Sequence, residues 1–444
     1  MLPTSVAGYY KKRREILGKK DSSAAFFFPS NREYIRNDDV HYDFRQDSSL
    51  YYLTGFPEPE SFLALLPSSE GGKSHRSILF VRQRNPEREI WDGERYGVDG
   101  ALNVFGVDAT YPIEELEDQL PELMKGVEKV FYRANLDETM DRRIYSVLET
   151  YRRGHGRSGR GLVPIQDPRE HVGEMRLFKD SDEIELLCRA SKITADSHSE
   201  LMRHVKPGMN EFEIEALIDY LFRSKGCQRL GYGSIVAGGK NATCLHYRSN
   251  NETLRDGDLL LIDAGGEYGY YTSDITRTFP VGKKFSDQQA KFYDVVLKAQ
   301  MECIAMVKPG VVYSTIHQHA CLSLTEGLLS LGLLKGKTEE LIQSNAFRRF
   351  FPHGTGHWLG MDVHDCGLYT QGGESRKLEP GMCFTIEPGL YVQPGDVEAS
   401  EEFRGLGVRI EDDILVTSSG CEVLTKDVPK TRADIEALRE KAFR

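Results

Sequence analysis

Two acids interrupt runs that are otherwise apolar. Leu259-Leu260-Leu261-Ile262 leads into Asp263 and Phe384-Thr385-Ile386 leads into Glu387, so each carboxylate sits where a strand enters a core. Asp274, in TSDITRTF, and Glu411, in VRIEDDILV, occupy the strand-like segments that follow. A buried carboxylate must find a cation or take up a proton. Four converging at about 4 to 5 Å would repel one another by several kcal/mol at an effective dielectric of about 20, and bound divalent cations remove that repulsion. The segment HGTGHWLGMDVHD adds His353, His357 and His364, spaced by glycines that let backbone approach a ligand closely. His246, in CLHYRSNN, precedes the first acidic strand. His41, His75, His155, His198 and His317 stand alone and are expected to be structural or surface residues.

One nitrogen and four carboxylates make a hard, oxygen-dominated donor set for two ions. It suits Mn²⁺ first and tolerates Co²⁺, Fe²⁺ or Zn²⁺. Two such ions about 3.5 Å apart activate a bridging hydroxide and steady the oxyanion of a tetrahedral intermediate, so hydrolysis is the expected reaction class. Other motif-like strings fail. GGKN at 238–241 lacks the spacing and the Ser or Thr of a phosphate loop, and there is no GxSxG elbow or convincing cysteine nucleophile.

The elements that position these groups are written twice. Asp180 with Glu183 makes a capping box opening a helix through Ile184, Leu187, Ile193 and Leu201, stopped at Pro207-Gly208. Asn210 with Glu213 opens a second, carrying Phe212, Leu217, Leu221 and Phe222. About a hundred residues later Ser286 with Gln289 opens a helix that runs to Pro309-Gly310, and another starts near Ser314. After each pair comes one strand pattern, LRDGDLLLIDAG and LEPGMCFTIEPG, in a constant register that sets Asp263 on Glu387. A second acid-bearing strand follows in each. Two such copies predict pseudo-symmetric halves of one sheet covered by helices.

Upstream, RRGHGRSGRG at 152–161 and the prolines of VPIQDP read as a loop, which predicts a domain boundary at 173/174. The net charge of −11, without a basic excess in either part, argues against nucleic-acid binding. No apolar run approaches the roughly 20 residues of a membrane span, and the longest cluster is the short patch 24–28. The N-terminal residues lack the pattern of a secretory signal, and eight scattered cysteines without a CxxC pair fit reduced thiols in a cytoplasmic protein.

The strings LLLIDAGGEYGYYTSDITRTFPVGKKF, FFPHGTGHWLGMDVHD, FTIEPGLYV and GLGVRIEDDILV closely resemble the aminopeptidase P and prolidase group. The resemblance implies an α+β chain, an N-terminal α/β domain (1–173) followed by a pita-bread catalytic domain (174–444). It implies Asp263, Asp274, His357, Glu387 and Glu411 as ligands of two metals, with Asp274 and Glu411 bridging. His246, His353 and His364 resemble the group's substrate-contacting and proton-handling histidines, Arg409 the arginine that steadies the acid network, and Tyr391 follows the EPGLY motif. FRQDSSLYYLTGFPEPES and EIWDGERYG, with the EMRLFKDSDEI junction, look more like aminopeptidase P than prolidase, and Trp91 would reach a neighbouring subunit's site. The implied activity is removal of the first residue from peptides with proline second, by a homo-oligomer, dimer or tetramer. A Xaa-Pro dipeptidase and a non-catalytic peptide-binding scaffold on the same fold are the alternatives.

Overall fold

The computed structural model describes residues 6–68, 75–157, 159 and 161–443. The chain divides into two compact units, Met1–Val172 and Gly173–Arg444. Of the expected loop at 152–161, Arg152, Arg153 and Gly154 instead form the last turn of the helix Glu138–Gly154, while Ser158 and Arg160 lie outside the described residues. So do the first five residues, on which part of the N-terminal reading rests.

In the first unit the apolar patch forms the strand Ala24–Pro29, inside a six-stranded sheet. It pairs parallel with Lys129–Tyr132 and antiparallel with Phe62–Pro67, and a strand covered on both faces needs an unbroken apolar run rather than alternation. Phe27, Phe62, Ile78, Val130 and Leu148 share its core with helix residues such as Leu116 and Leu120.

The duplication in the second unit is visible bond by bond. Capping boxes at Asp180/Glu183, Asn210/Glu213 and Ser286/Gln289 open the helices Ser181–His204, Glu211–Ser224 and Asp287–Met306. The fourth helix, Tyr313–Ser330, has no side-chain cap. Gly208 and Gly310 take the same left-handed conformation, φ 91° and 86°, and their amides donate to Leu254 O and Leu378 O, both at 2.8 Å. These acceptors occupy equivalent places in the repeated strand pattern, so each proline-glycine turn docks its helix pair on its own strand. Phe212 is 55% exposed, because Ile214, Ile218 and Phe222 define the buried face of its helix.

The expectation of one shared sheet needs correction. The halves form separate three-stranded sheets, Ile235–Gly238 with Leu259–Asp263 and Thr276–Pro280, and Cys383–Ile386 with Asp412–Val416 and Cys421–Val423. One hydrophobic cluster nevertheless runs through both, including Leu260, Ile262, Phe279, Phe384, Ile386 and Ile414. The ladders stop where the acids stand. Asp274 precedes its strand, and Glu411 falls between Gly407–Arg409 and Asp412–Val416. There the amides turn elsewhere: Asp274 N donates to the Asp413 carboxylate at 3.1 Å, Glu387 N to Thr355 O at 2.8 Å, and Glu411 N to Thr276 O of the other half at 3.1 Å. Backbone that leaves its ladder must find such partners, and here it lets side chains converge that regular pleating would send to opposite faces.

Candidate metal centre

Between the two halves lies a cavity of 480 Å³ whose wall includes Asp263, Asp274, His357, Glu387 and Glu411. Donor atoms of Asp274, His357 and Glu411 all lie within 4.8 Å of one another. His357 Nε2 stands 3.3 Å from Asp274 Oδ2 and 3.7 Å from Glu387 Oε1. Its Nδ1 faces the Trp358 carbonyl at 3.1 Å, so that nitrogen carries the proton and Nε2 is left to face the acids. Asp263 belongs to the same group, sharing the Tyr232 hydroxyl with Asp274.

The protonation of these groups reports a deficit of positive charge. Burial pushes Glu411 well above the ordinary carboxylate range, reinforced by Asp274 and Glu387. Burial likewise raises Glu387 to about 7 against the pull of His357 and Arg409, and raises Asp274. Asp263 is the exception: burial works upward, but the Arg409 charge and hydrogen bonds from Tyr232 and Arg409 hold it below the usual value. Burial opposes a charge on His357, yet Asp274 and Glu387 raise it to about 9. A donor set that recruits protons onto both acids and imidazole is one that divalent cations would satisfy.

Four of the other predicted residues, His246, His353, His364 and Arg409, line the same cavity. His246 and His364 line the cavity, and the His364 ring stacks edge-on against His357 with centroids 4.3 Å apart. His353 donates from Nδ1 to its neighbour Gly354 O at 2.7 Å, so its Nε2 accepts from the Tyr391 hydroxyl at 2.9 Å. Tyr391 in turn accepts from Arg409 Nη1 at 3.0 Å. Burial, then the Arg409 charge, lowers His353 to about 3, which keeps the imidazole neutral. Tyr391 therefore stands behind the wall, only 2% exposed, and acts through His353 and Arg409. Trp91 is on the helix Pro86–Asp92 of the first unit, 82% exposed, whereas the cavity is lined wholly by residues of the second.

The sequence reading missed Tyr232 and Asp413. The Tyr232 hydroxyl contacts two acids, reaching Asp263 Oδ1 at 2.7 Å, and its only signal is a tyrosine between glycines ahead of a strand. Asp413 braces Asp274 by accepting from its amide and from Ser273 and Ser191 hydroxyls at 2.7 and 3.0 Å. Burial lifts it to about 8 despite those bonds. The run Glu411-Asp412-Asp413, three acids inside an apolar segment, was the available clue.

Known proteins match this chain along nearly its whole length. Residues 185–418 match metallopeptidase family M24, and residues 9–132 match the aminopeptidase P N-terminal domain. The chain is 42% identical over 431 residues to the Xaa-Pro aminopeptidase of Escherichia coli, covering 97% of each chain. Among solved structures, an aminopeptidase of Pseudomonas aeruginosa matches with a TM-score of 0.94 at 43% identity over 98% of each chain. A variant of Escherichia coli aminopeptidase P in complex with substrate matches with a TM-score of 0.94 at 41% identity, covering 99% of this chain and 100% of that one.

Proposed function

The chain belongs to metallopeptidase family M24 as a Xaa-Pro aminopeptidase with the pita-bread fold, and from that premise we propose how its own residues carry the reaction. Asp263, Asp274, His357, Glu387 and Glu411 would hold two divalent cations, Mn²⁺ first among those an oxygen-rich set favours, with Asp274 and Glu411 bridging. Such cations supply Lewis-acid activation of water and of the scissile carbonyl.

The observation that carries the rest is Glu387. Its carboxylate lines the cavity with Oε1 3.7 Å from His357 Nε2 and Oε2 3.9 Å from His353 Nδ1, between the donor cluster and the histidines, where it would take the proton of the attacking water and return it to the departing proline nitrogen. That nitrogen needs the delivery, as any amide nitrogen does, because it leaves as a neutral amine only once it has gained a proton. His246 and His364 face the cavity where charge develops on the carbonyl oxygen, and Ile235, Leu245 and Val363 give the proline ring an apolar wall. His353, held neutral by burial and then by the Arg409 charge, and anchored through Tyr391, presents an uncharged surface to the substrate. Trp91, 82% exposed, would contribute from a second copy in a homodimer or homotetramer. Eight free cysteines support a cytoplasmic setting, and no helix among the described residues is long and apolar enough to cross a membrane.

Protein stripped by exhaustive chelation should cleave no Xaa-Pro-Yaa tripeptide and should recover with Mn²⁺. Full activity with no metal by elemental analysis would end this assignment. A Xaa-Pro dipeptide should be a poor substrate, and preference for it over the tripeptide would replace the aminopeptidase reading with a dipeptidase.

A further inference from the structure

The EMRLFK segment ahead of the first capping box lines no part of the cavity, yet three of its residues reach the loop that bears His364. Between Arg349 and Thr370 the chain forms no helix or strand beyond an isolated bridge from Trp358 to Phe384. Leu359 N donates to Cys383 O at 3.0 Å and Asp365 N closes the loop on Trp358 O at 2.9 Å. Residues 360–364 between them have no ladder to fix their course, and a loop carrying a chemical group needs side-chain anchors in place of one.

Two anchors flank His364, and one guanidinium holds both. Arg176 Nη2 donates to Asp362 Oδ2 at 2.7 Å and also to Asp365 Oδ1. Lys179 Nζ adds a bond to Asp365 Oδ2 at 3.3 Å. The Arg176, Lys179 and Asp365 side chains are 4%, 0% and 1% exposed, whereas Asp362 is 41% exposed at the rim. Farther along, Glu174 accepts from Arg376 Nη1 at 2.7 and 2.8 Å and from the Leu368 amide at 3.2 Å. Glycine at 360 is obligatory in this arrangement, since a Cβ there would meet Asp365 Oδ2 at 2.1 Å. Buried charge clusters are often no more stabilising than apolar packing of the same volume, whereas two bonds from one planar guanidinium nitrogen set the direction of both carboxylates as well as their distance.

We propose that Arg176 is a positioning residue for His364, its guanidinium fixing the carboxylates on either side so that the imidazole stays against His357 and faces the substrate. The proposal rests on the reading of His364 as a residue that meets the reacting peptide. A double-mutant cycle on the Mn²⁺-loaded enzyme tests it, using Arg176→Lys, which keeps the charge and loses the reach and planarity of the guanidinium, with His364→Ala.

Arg176→Lys should lower kcat about tenfold with KM within about twofold, and in the His364→Ala background it should lower kcat less than about twofold. Additive losses would mean that Arg176 only supports the fold and would overturn the proposal. Full activity of His364→Ala alone would overturn the reading of His364 and the positioning role with it, so the two failures are distinguishable. Because Arg176→Lys alters a buried cluster, Asp362→Asn serves as a second probe from the rim. It should reduce kcat about threefold, again only when His364 is present, and an equal reduction without His364 would count against the proposal.

Discussion

Arg409 and Asp263 form a buried ion pair, Nη2 to Oδ2 at 2.6 Å, and Asp263 is the one of the four acids whose carboxyl is held below its ordinary value, against burial, by the Arg409 charge and its hydrogen bonds. Arg409→Ala leaves that carboxylate uncompensated. The metal-free protein should lose about 3–5 kcal/mol, as when one partner of a buried pair is removed, and Arg409→Lys should recover part of it. Urea denaturation in the presence of chelator measures the difference; equal midpoints for wild type and Arg409→Ala would show that the pair is not structural.

Tyr232→Phe removes the hydroxyl that Asp263 and Asp274 share and leaves the ring in place. Losing an orienting hydrogen bond to metal-facing carboxylates should weaken Mn²⁺ binding about 10–100-fold with little change in folding. Calorimetric titration of the apo variant reads the affinity directly, and unchanged binding would remove Tyr232 from the site.

Glu411→Gln separates two roles of one carboxyl. In the metal-free protein, burial and neighbouring acids push Glu411 well above the ordinary carboxylate range, toward the neutral form that glutamine copies near-isosterically. The apo melting temperature should shift by no more than about 2–4 °C, equivalent to about 1 kcal/mol for a domain of this size. Metal occupancy and rate should nevertheless fall together, because glutamine cannot become the charged ligand. A variant with full occupancy and full rate would contradict the ligand assignment.

His198 sets a pH dependence from behind the first acidic strand, outside the cavity wall. Its ring is 1% exposed, Nε2 lies 2.9 Å from Ala264 O, Nδ1 has no partner among the described residues, and burial lowers its pKa to about 4. A histidine whose folded value is depressed stabilises the fold fully above its unfolded value near 6.5. That contribution is lost as pH falls toward about 4, because the unfolded chain binds the proton first. Between pH 7.5 and 4.5 the apo wild type should therefore lose about 2–3 kcal/mol more stability than His198→Gln. Parallel pH profiles for the two proteins would refute the assignment of this window to His198.

The acids and helix starts were legible for different reasons. A capping box is local chemistry, complete within four residues, and Asp180 with Glu183 reads the same in the sequence as in the fold. Asp263 and Glu387 were legible because a repeated backbone repeats its register. What escaped depends on chain crossings that no local pattern encodes. The strand breaks at Asp274 and Glu411 exist because their amides bond across the fold, Glu411 to Thr276 and Asp274 to Asp413. Tyr232 and Arg176 matter through residues 31 to 189 positions away, and neither has a periodic signal around it. Phe212 shows the opposite error, an apolar residue on a helix whose buried stripe lies elsewhere.

The centre takes Asp263 and Asp274 from one half and His357, Glu387 and Glu411 from the other. Neither half is therefore a smaller enzyme, and a chain emerging from the ribosome has no complete donor set until Glu411 has left the exit tunnel. A copy that stops short of Glu411 would lack one of the five proposed ligands, and its two halves would close on an incomplete centre.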